Sequence, residues 1–455
     1  MNNGVIMQLE DLKWAGDCMG VIESKINECL QEFEIDSIQL KRIADVFCQE
    51  IERGLKKEKS SFKMLKSYLQ LPNGEEKGHY LALDFGGTNL RILLIALLGQ
   101  GRFKVIKKVT APLITESYNY ITNNVCAEEL FDFIAELIRK VTDDEYRYFL
   151  GHTFSFPSEQ SALNHARLIV WTKEFAVQGV EGKDVNALLS DALIRKGRSN
   201  IIPVAVINDT VATILAAAYK DDCVHIGSIC GTGHNTAYLE SYDGKRCPMI
   251  INLESGNFSH LRLNTFDKIL DQQSEKKGEQ VFEKMVAGKY LGRLLVLVLK
   301  ELGMLKQEIV LTSKDLSEII QDSSPNYRKT KEIFFAQIED TFTEMEYSYI
   351  VEIAKRIIRR SARLVTAGYI GIIQHMDFNF NNKHHIAIDG SLYEKMPGYA
   401  QLIQKTFVEL LGDEKAKNIK VILENQGSGI GGAIAAAIFN EGRLDSDRII
   451  MPSES

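Results

Sequence analysis

The sequence predicts an α/β protein of two similar lobes around a cleft, because one pattern of strands and turns occurs twice. Each copy has three short apolar or alternating runs separated by glycine-containing turns, which is typical of an antiparallel meander. The first copy comprises His79–Phe85, Asn89–Leu98 and Arg102–Thr110, and the second comprises His225–Cys230, Asn235–Ser241 and Met249–Leu253. Alternating helical and strand patterns follow both copies, so the repeat indicates duplicated lobes.

The remaining elements are predicted in chain order from the change of apolar period. A helix over Ile38–Leu55 precedes the first meander. After that meander we expect helix Glu128–Val141, strand Phe149–Pro157, helix Gly182–Leu193, strand Val204–Asn208 and helix Thr210–Tyr219. After the second we expect helices near Gln280–Leu302 and Glu346–Gln374, strand His385–Ile388, helix Gly398–Leu411, strand Ile419–Leu423 and helix Ser428–Asn440.

These elements suggest three regions. Residues 1–75 form an N-terminal helical segment that packs on the large lobe, 76–208 form a small lobe together with 441–455, and 209–440 form the large lobe. The chain has 455 residues, which is ample for two lobes.

Charge and composition exclude several classes of protein. The formal charge is −7, from 54 Lys and Arg against 61 Asp and Glu, which argues against a nucleic-acid binder. The longest uncharged segments, such as Gly427–Asn440, are shorter than the ~18 apolar residues of a membrane span, and no signal peptide is evident. Seven cysteines without a CxxC pair indicate reduced thiols, so we expect a cytoplasmic protein. Separately, we expect a monomer or a homodimer.

Four glycine turns are candidate phosphate-binding sites. In the first, Asp84 precedes Gly86-Gly87, where backbone amides can approach an anion and the carboxylate can hold hydrated magnesium. The alternative is a tight hairpin in which Asp84 only caps turn amides. Gly231-Thr232-Gly233 occupies the same place in the second repeat, and this favours a pair of turns that clamp one triphosphate.

The other two turns are Asp389-Gly390-Ser391 and the run Gly427–Gly432. The second fits GxGxxG, but too little chain follows it for a dinucleotide-binding βαβ unit, and GxxxxGK[ST] is absent. A glycine turn at a helix N-terminus beside a nucleotide is the better interpretation.

A polar group of residues indicates a site for a polyhydroxylated ligand. Asp209 follows a strand, and Ser155, Thr172-Lys173, Asn208 and Asn235 fall at other strand ends or loops. Hydroxyls and amides both donate and accept hydrogen bonds, as sugar hydroxyls do. Asn208 or Asp209 alone could equally be a helix N-cap.

Here the sequence strongly resembles the eukaryotic-type hexokinases. The resemblance rests on ordered motifs between about Tyr80 and Asn440, namely LALDFGGTNLRILLI, TFSFP, LIVWTKEF, VAVINDTVATI, CGTGHNTAYLE, INLESGNF, GEQVFEKMVAGKYLGRL, IAIDGSLY and ENQGSGIGGA. It implies the two-lobe actin-like ATPase (ribonuclease H-like) fold with duplicated βββαβαβα-type lobes. It also implies transfer of the ATP γ-phosphoryl group to the 6-hydroxyl of a hexose, with ATP and Mg²⁺ required. Glucose is the first expectation, with mannose or fructose as alternatives, in the first step of glycolysis.

The resemblance also implies residue roles. Asp209 resembles the general base, and Lys173 assists it at the transferring phosphate. The residues that resemble sugar ligands are Ser155, Thr172, Lys173, Asn208, Asp209, Asn235, Glu254 and Glu283. Those that resemble nucleotide ligands are Asp84, Gly86, Gly87, Thr88, Asn89, Arg91, Gly231, Thr232, Asp389, Gly390, Ser391, Gly427 and Ser428, with Asp84 as the metal-binding residue.

Five positions depart from the family pattern: Ser255 and Asn257 in place of tryptophan and alanine, His234 for serine, Glu174 for glycine and Ile430 for lysine. None removes a catalytic group, but several lie beside proposed sugar ligands. Two other functions stay open. A sugar sensor without turnover would be expected to lack Asp209 or Asp84, and an actin- or Hsp70-class ATPase would lack WTK, Glu254 and Glu283.

Overall fold

The structure is a computed structural model that describes residues 23–442, apart from Thr88, Lys173, 242–247 and 339–341. The strands are β1 (Leu65–Lys66), β2 (Lys77–Phe85), β3 (Asn89–Gly99), β4 (Arg102–Pro112), β5 (Tyr148–Phe154), β6 (Ser158–Ala162), β7 (His165–Leu168), β8 (Ile201–Ile207), β9 (Val224–Cys230), β10 (His234–Glu240), β11 (Met249–Asn252), β12 (His384–Asp389) and β13 (Ile419–Leu423).

The helices are numbered in the same way, and short 3₁₀ turns lie at Ser255–Asn257 and Pro325–Tyr327. They are α1 (23–32), α2 (Ser37–Leu55), α3 (Ala127–Arg139), α4 (Val185–Arg195), α5 (Asp209–Ala218), α6 (Thr265–Gln272), α7 (Val281–Val286), α8 (Gly288–Glu301), α9 (Ser313–Ile320), α10 (Arg328–Phe335), α11 (Glu344–Met376), α12 (Ser391–Lys395), α13 (Tyr399–Leu411), α14 (Asp413–Ala416) and α15 (Gly427–Asn440).

Two sheets with the same strand order confirm the predicted duplication. The first has the order β4-β3-β2-β5-β8, and the second has β11-β10-β9-β12-β13 with β1 added beside β11. In each sheet the first three strands pair antiparallel as a meander, and the last two run parallel to the meander's first strand. The carboxyl ends of β2, β5 and β8, and of β9, β12 and β13, are therefore the natural places for a ligand.

Helices α5 and α15 lie between the two sheets and join them. Their small side chains share one core with residues of both sheets, including Ala82 and Ala387. The approach is close, because a Cβ on Gly431 would lie 2.3 Å from the Ala212 carbonyl oxygen. On β5, a Cβ on Gly151 would lie 1.9 Å from the carbonyl oxygen of Gly432. The later glycines of the Gly427–Gly432 run thus serve helix packing.

The outer faces of the sheets are covered by helices. Helices α3 and α4 pack in the core of the first sheet, whereas α2, α8, α11 and α13 contribute to the core of the second. A Cβ on Gly371 of α11 would lie 2.6 Å from the carbonyl oxygen of Ala44 on α2. The N-terminal helices therefore contact the half of the molecule that contains the second sheet, while the division into lobes at 76, 209 and 441 stays a prediction.

One predicted helix is wrong in its continuity. The pattern near Gln280–Leu302 predicts a single helix, but the structure has α7 and α8 with extended backbone at Ala287 between them. At the start of α8, just after the break, the amides of Gly288 and Lys289 donate hydrogen bonds of 2.9 and 3.1 Å to the carbonyls of Gly231 and Thr232. This anchors the second glycine turn. Among the helices that the structure describes, none has the length and apolar character needed to cross a bilayer.

Candidate active site

The first glycine turn and the start of α15 meet around the buried carboxylate of Asp84. Its Oδ2 lies 2.6 Å from the Arg91 guanidinium and accepts a 3.0 Å hydrogen bond from Ser428 Oγ. Thr153 on β5 holds the same helix end by donating to the Ser428 carbonyl at 2.7 Å. Three of the predicted nucleotide residues therefore lie together, although Ser428 is 344 residues from Asp84 in sequence.

Negative charge accumulates in this region. Burial raises the pKa of Asp84, against the opposing effect of Arg91 and the hydrogen bond from Ser428, and the charge of Asp209 adds to the increase. Burial and then the charge of Asp209 raise the pKa of Asp389 to about 6. Each carboxylate disfavours ionisation of its neighbours, which a bound cation would relieve.

These oxygen donors fit Mg²⁺, which prefers carboxylates and water and commonly binds through one or two carboxylates. Among the described residues, the carboxylates around Asp84 do not bring three oxygens within 4.8 Å of one another. An ion held by Asp84 would therefore keep several water ligands.

The second pair of glycine turns is tightly packed. Gly390 has φ 140°, and a Cβ there would lie 2.4 Å from the Cys230 carbonyl carbon. A Cβ on Gly231 would lie 3.3 Å from the Cα of Gly390. The turns that follow β9 and β12 are consequently one unit, and only glycine fits at position 390.

A second polar cluster surrounds Glu254 at the end of β11. Its Oε1 accepts hydrogen bonds from Asn235 Nδ2 at 3.1 Å and from Asn252 Nδ2 at 2.9 Å. Asn235 Nδ2 also lies 3.0 Å from Asn252 Oδ1, so the three side chains form a closed network. Glu254 has φ 54°, an uncommon conformation for a non-glycine residue that occurs frequently at functional sites.

The environment of Glu254 disfavours loss of its carboxyl proton. Burial raises the pKa of Glu254, and the charge of Asp209 raises it further, while Asn252, Asn235 and Lys63 oppose the increase. Glu283, on α7, accepts a 3.0 Å hydrogen bond from the backbone amide of His234 and so lies beside the second glycine turn.

Asp209 lies between the two clusters. It is the first residue of α5, while Asn208 is the N-cap and accepts a 3.0 Å hydrogen bond from the Thr210 amide. Asn208 is therefore the N-cap of α5, and its role as a sugar ligand stays a prediction. The charge of Asp209 raises the pKa of Asp84 and Asp389 on one side and of Glu254 on the other.

An aromatic cluster fixes the loops that carry Ser155 and Thr172. Phe156 packs edge-on against Trp171, with ring centroids 4.8 Å apart, and Phe175 stacks on Trp171 at 5.2 Å. A Cβ on Gly86 would lie 3.0 Å from Ser155 Oγ, so the first glycine turn abuts this loop. Of the predicted residues, Thr88 and Lys173 fall outside the described residues.

The five departures have different structural contexts. His234 is buried against Phe282, and burial lowers its pKa to about 3, so its ring is neutral. Ile430 is buried in α15. Asn257 donates to the carbonyl of Glu254 at 3.2 Å, and Ser255 donates to Thr236 at 3.1 Å. Glu174 has φ 68°, a conformation that favours the glycine usual in the family.

Two residues of the site were missed from the sequence. Asn252 orients Glu254, and the buried Glu424 raises the pKa of Asp389. Both fall inside motifs that had been recognised, INLES and ENQGSG. Their side-chain type beside a strand end was the available signal.

The duplicated sheets, paired glycine turns and carboxylates at the strand ends define a two-lobe α/β phosphotransferase of the actin-like type. Two family models, each described as hexokinase, match the chain: one matches residues 25–219 and the other matches residues 225–438. The chain therefore belongs to the hexokinase family, and its activity is the phosphorylation of a hexose.

Similar proteins agree with this assignment. Hexokinase-7 of Oryza sativa subsp. japonica is 36% identical over 90% of this chain and 96% of its own length, and Hexokinase-1 of Nicotiana tabacum is 36% identical over 90% of each. A crystal structure of a hexokinase is 29% identical with TM-score 0.83, covering 92% of this chain and 100% of the other. The Schistosoma mansoni hexokinase complexed with glucose is 30% identical with TM-score 0.79, covering 92% of this chain and 99% of the other.

Proposed function

We propose that this chain transfers the γ-phosphoryl group of Mg-ATP to the 6-hydroxyl of glucose, with Asp209 as the general base. The observation that carries the proposal is the position of Asp209. Its charge raises the pKa of Glu254 and also the pKa of Asp84 and of Asp389. A base for this reaction must lie within hydrogen-bond reach of the sugar hydroxyl while that hydroxyl faces the transferring phosphate.

Glu254 and its neighbours would bind the sugar. The amides of Asn235 and Asn252 fix one carboxyl oxygen of Glu254, which leaves the group oriented before the ligand arrives. The further ligands would supply both hydrogen-bond donors and acceptors to the hydroxyls of the sugar. They are Ser155, Thr172, Lys173, Asn208 and Glu283. The complex of a relative with glucose supports glucose as the first choice, with mannose and fructose as alternatives.

Asp209 would accept the proton of the 6-hydroxyl while the oxygen of that hydroxyl attacks the γ-phosphorus of ATP. A primary alcohol is a weak nucleophile, and a positioned carboxylate compensates for this. Asp209 is the first residue of α5, directly after the N-cap Asn208, so the start of this helix fixes the position of its carboxylate.

The glycine turns, with Asn89 and Ser391 beside them, would hold the nucleotide. Gly231 N–H donates to the Gly233 carbonyl within its own turn, so the amide offered to phosphate there is proposed to be that of Thr232. Arg91 and Lys173 would stabilise charge on the transferring group. Mg²⁺, when bound, would neutralise charge on the terminal phosphates, with Asp84 as its protein ligand.

The proposal is tested by a coupled assay of ATP consumption with glucose, mannose and fructose. We expect the highest kcat/KM with glucose. If glucose binds in a calorimetric titration but ATP is not consumed, the chain is instead a sugar sensor. A fructose or mannose preference would overturn the assignment of substrate but not of reaction. A cytoplasmic location and a monomer or homodimer stay predictions.

A further inference from the structure

A cluster of unlike metal ligands lies away from the active site, where α2 and α11 cross. Cys48 and Glu52 are one turn apart on α2, and His375 is in the last turn of α11. One ligand atom from each of the three side chains lies within 4.8 Å of the others. We propose that Cys48, Glu52 and His375 bind one zinc-class divalent ion, with water as the fourth ligand.

The two helices hold these side chains at a fixed separation. The missing side chain of Gly371 lets α11 approach α2, since a Cβ there would lie 2.6 Å from the Ala44 carbonyl oxygen and 2.7 Å from the Cβ of Phe47. Cys48 and His375 are four residues beyond Ala44 and Gly371, so they follow the close contact by one turn of each helix. A rigid crossing of this kind keeps the ligands in place before an ion arrives.

His375 is oriented as a metal-binding histidine usually is. Its Nε2 lies 2.8 Å from Oε2 of Glu240, which also accepts a 2.5 Å hydrogen bond from Tyr238. Histidine ligands commonly bond a carboxylate through one nitrogen and the metal through the other. This arrangement would leave Nδ1 as the metal ligand.

The donor set matches zinc in type and charge. Thiolate sulfur, imidazole nitrogen and carboxylate oxygen are the ligands of four-coordinate zinc, at roughly 2.0–2.3 Å from the ion. Zn²⁺ would displace the thiol proton of Cys48 to solvent, and the two ligand charges would balance the ion. Cys48 Sγ lies 4.0 Å from Oε1 of Glu52.

A second mixed cluster offers an internal comparison. Asp221, Cys223 and His385 also bring ligand atoms within 4.8 Å of one another. However, Lys383 and Lys420 line the same pocket as Cys223 and His385, and their charge opposes a cation. His385 Nδ1 is already paired with Asp221 at 2.6 Å.

The test is a Zn²⁺ titration of the reduced, metal-free full chain against a chromophoric chelator. We expect one ion per chain, and a loss of affinity of about 100-fold or more in Cys48→Ser and in His375→Gln, because even indirect metal contacts contribute about 10–100-fold. The matched controls Cys223→Ser and His385→Gln should bind as the wild type does. Glu52 is exposed, so Glu52→Gln should weaken binding without disturbing the fold.

Cobalt provides a second readout that does not depend on stability. Co²⁺ bound to the wild type should show a thiolate-to-metal charge-transfer band, which Cys48→Ser should lack while Cys223→Ser retains it. Hexose phosphorylation by each variant checks that it has folded. Absence of stoichiometric binding, or loss of binding in Cys223→Ser but not in Cys48→Ser, would overturn the proposal.

Discussion

Ser428 Oγ donates a 3.0 Å hydrogen bond to Asp84 Oδ2, which joins the first turn of α15 to the end of β2 across 344 residues of sequence. Arg91 holds the same carboxylate oxygen at 2.6 Å. The first glycine turn and the last one are consequently a single structural unit, with Asp84 at its centre.

Replacing Asp84 should therefore lower the catalytic efficiency with Mg-ATP and leave the affinity for glucose unchanged. We expect Asp84→Ala to lower kcat/KM for Mg-ATP by about 10²-fold, since it removes an electrostatic group beside the phosphates. Ser428→Ala, the matched control, removes only a neutral donor and should cost about 10-fold or less. Steady-state kinetics with glucose calorimetry measures both effects. A comparable loss of glucose affinity in Asp84→Ala would contradict this division.

Asp389 should destabilise the ligand-free protein at neutral pH. Its pKa rises from 3.8 to about 6 on folding, so the folded chain holds the proton more tightly than the unfolded chain does. The stability gained by protonation is complete below about pH 4 and is lost as pH rises through about 6. Asp389→Asn should therefore raise the free energy of unfolding at pH 7.5 by about 1–2 kcal/mol, allowing for solvent screening.

Urea unfolding of the wild type and of Asp389→Asn at pH 4 and pH 7.5 measures this effect. The difference between the two proteins should nearly vanish at the lower pH. A difference of equal size at both values would assign the effect to packing instead of charge.

The left-handed backbone conformation of Glu174 should lower the stability of the fold, and a glycine at this position should remove that strain. Its φ of 68° is in the left-handed region, which costs a non-glycine residue about 1–2 kcal/mol, partly offset by the greater freedom of glycine when unfolded. We expect Glu174→Gly to raise the free energy of unfolding by about 0.5–1 kcal/mol. Glu174→Ala, which keeps the Cβ, should change it little. Equal effects of the two substitutions would show that the side chain, not the backbone, is responsible.

The sheets were predictable because the strands of the meanders are short apolar or alternating runs separated by glycine-containing turns. Strand Ile419–Leu423 was predicted to the residue, and β9 differs from its prediction only at Val224. The break at Ala287 was not predictable from periodicity, because it depends on hydrogen bonds to Gly231 from a distant part of the chain. The hairpin β6–β7 was missed because its residues alternate poorly.

The residues of the candidate site that lie in recognisable sequence motifs could be predicted. Contacts across the fold could not, since Asp84 and Ser428 are brought together only by the packing of α15 against β5. The packing role of Gly431 and Gly432 also could not be predicted from the sequence, because it depends on contacts across the fold. A run of glycines alone does not distinguish a phosphate-binding turn from a close helix crossing.

The account depends most on Asp209, and Asp209→Asn tests it directly. The Thr210 amide donates a 2.9 Å hydrogen bond to Asp209 Oδ1. Asparagine has a side-chain oxygen that can accept the same hydrogen bond, so the start of α5 should be preserved. Asp221→Asn is a control for loss of a carboxylate elsewhere, and glucose calorimetry checks the sugar site. We predict that kcat falls by ~10²–10⁴-fold while glucose affinity is nearly unchanged. A variant that keeps more than about a third of the wild-type kcat would contradict the assignment of Asp209 as the general base.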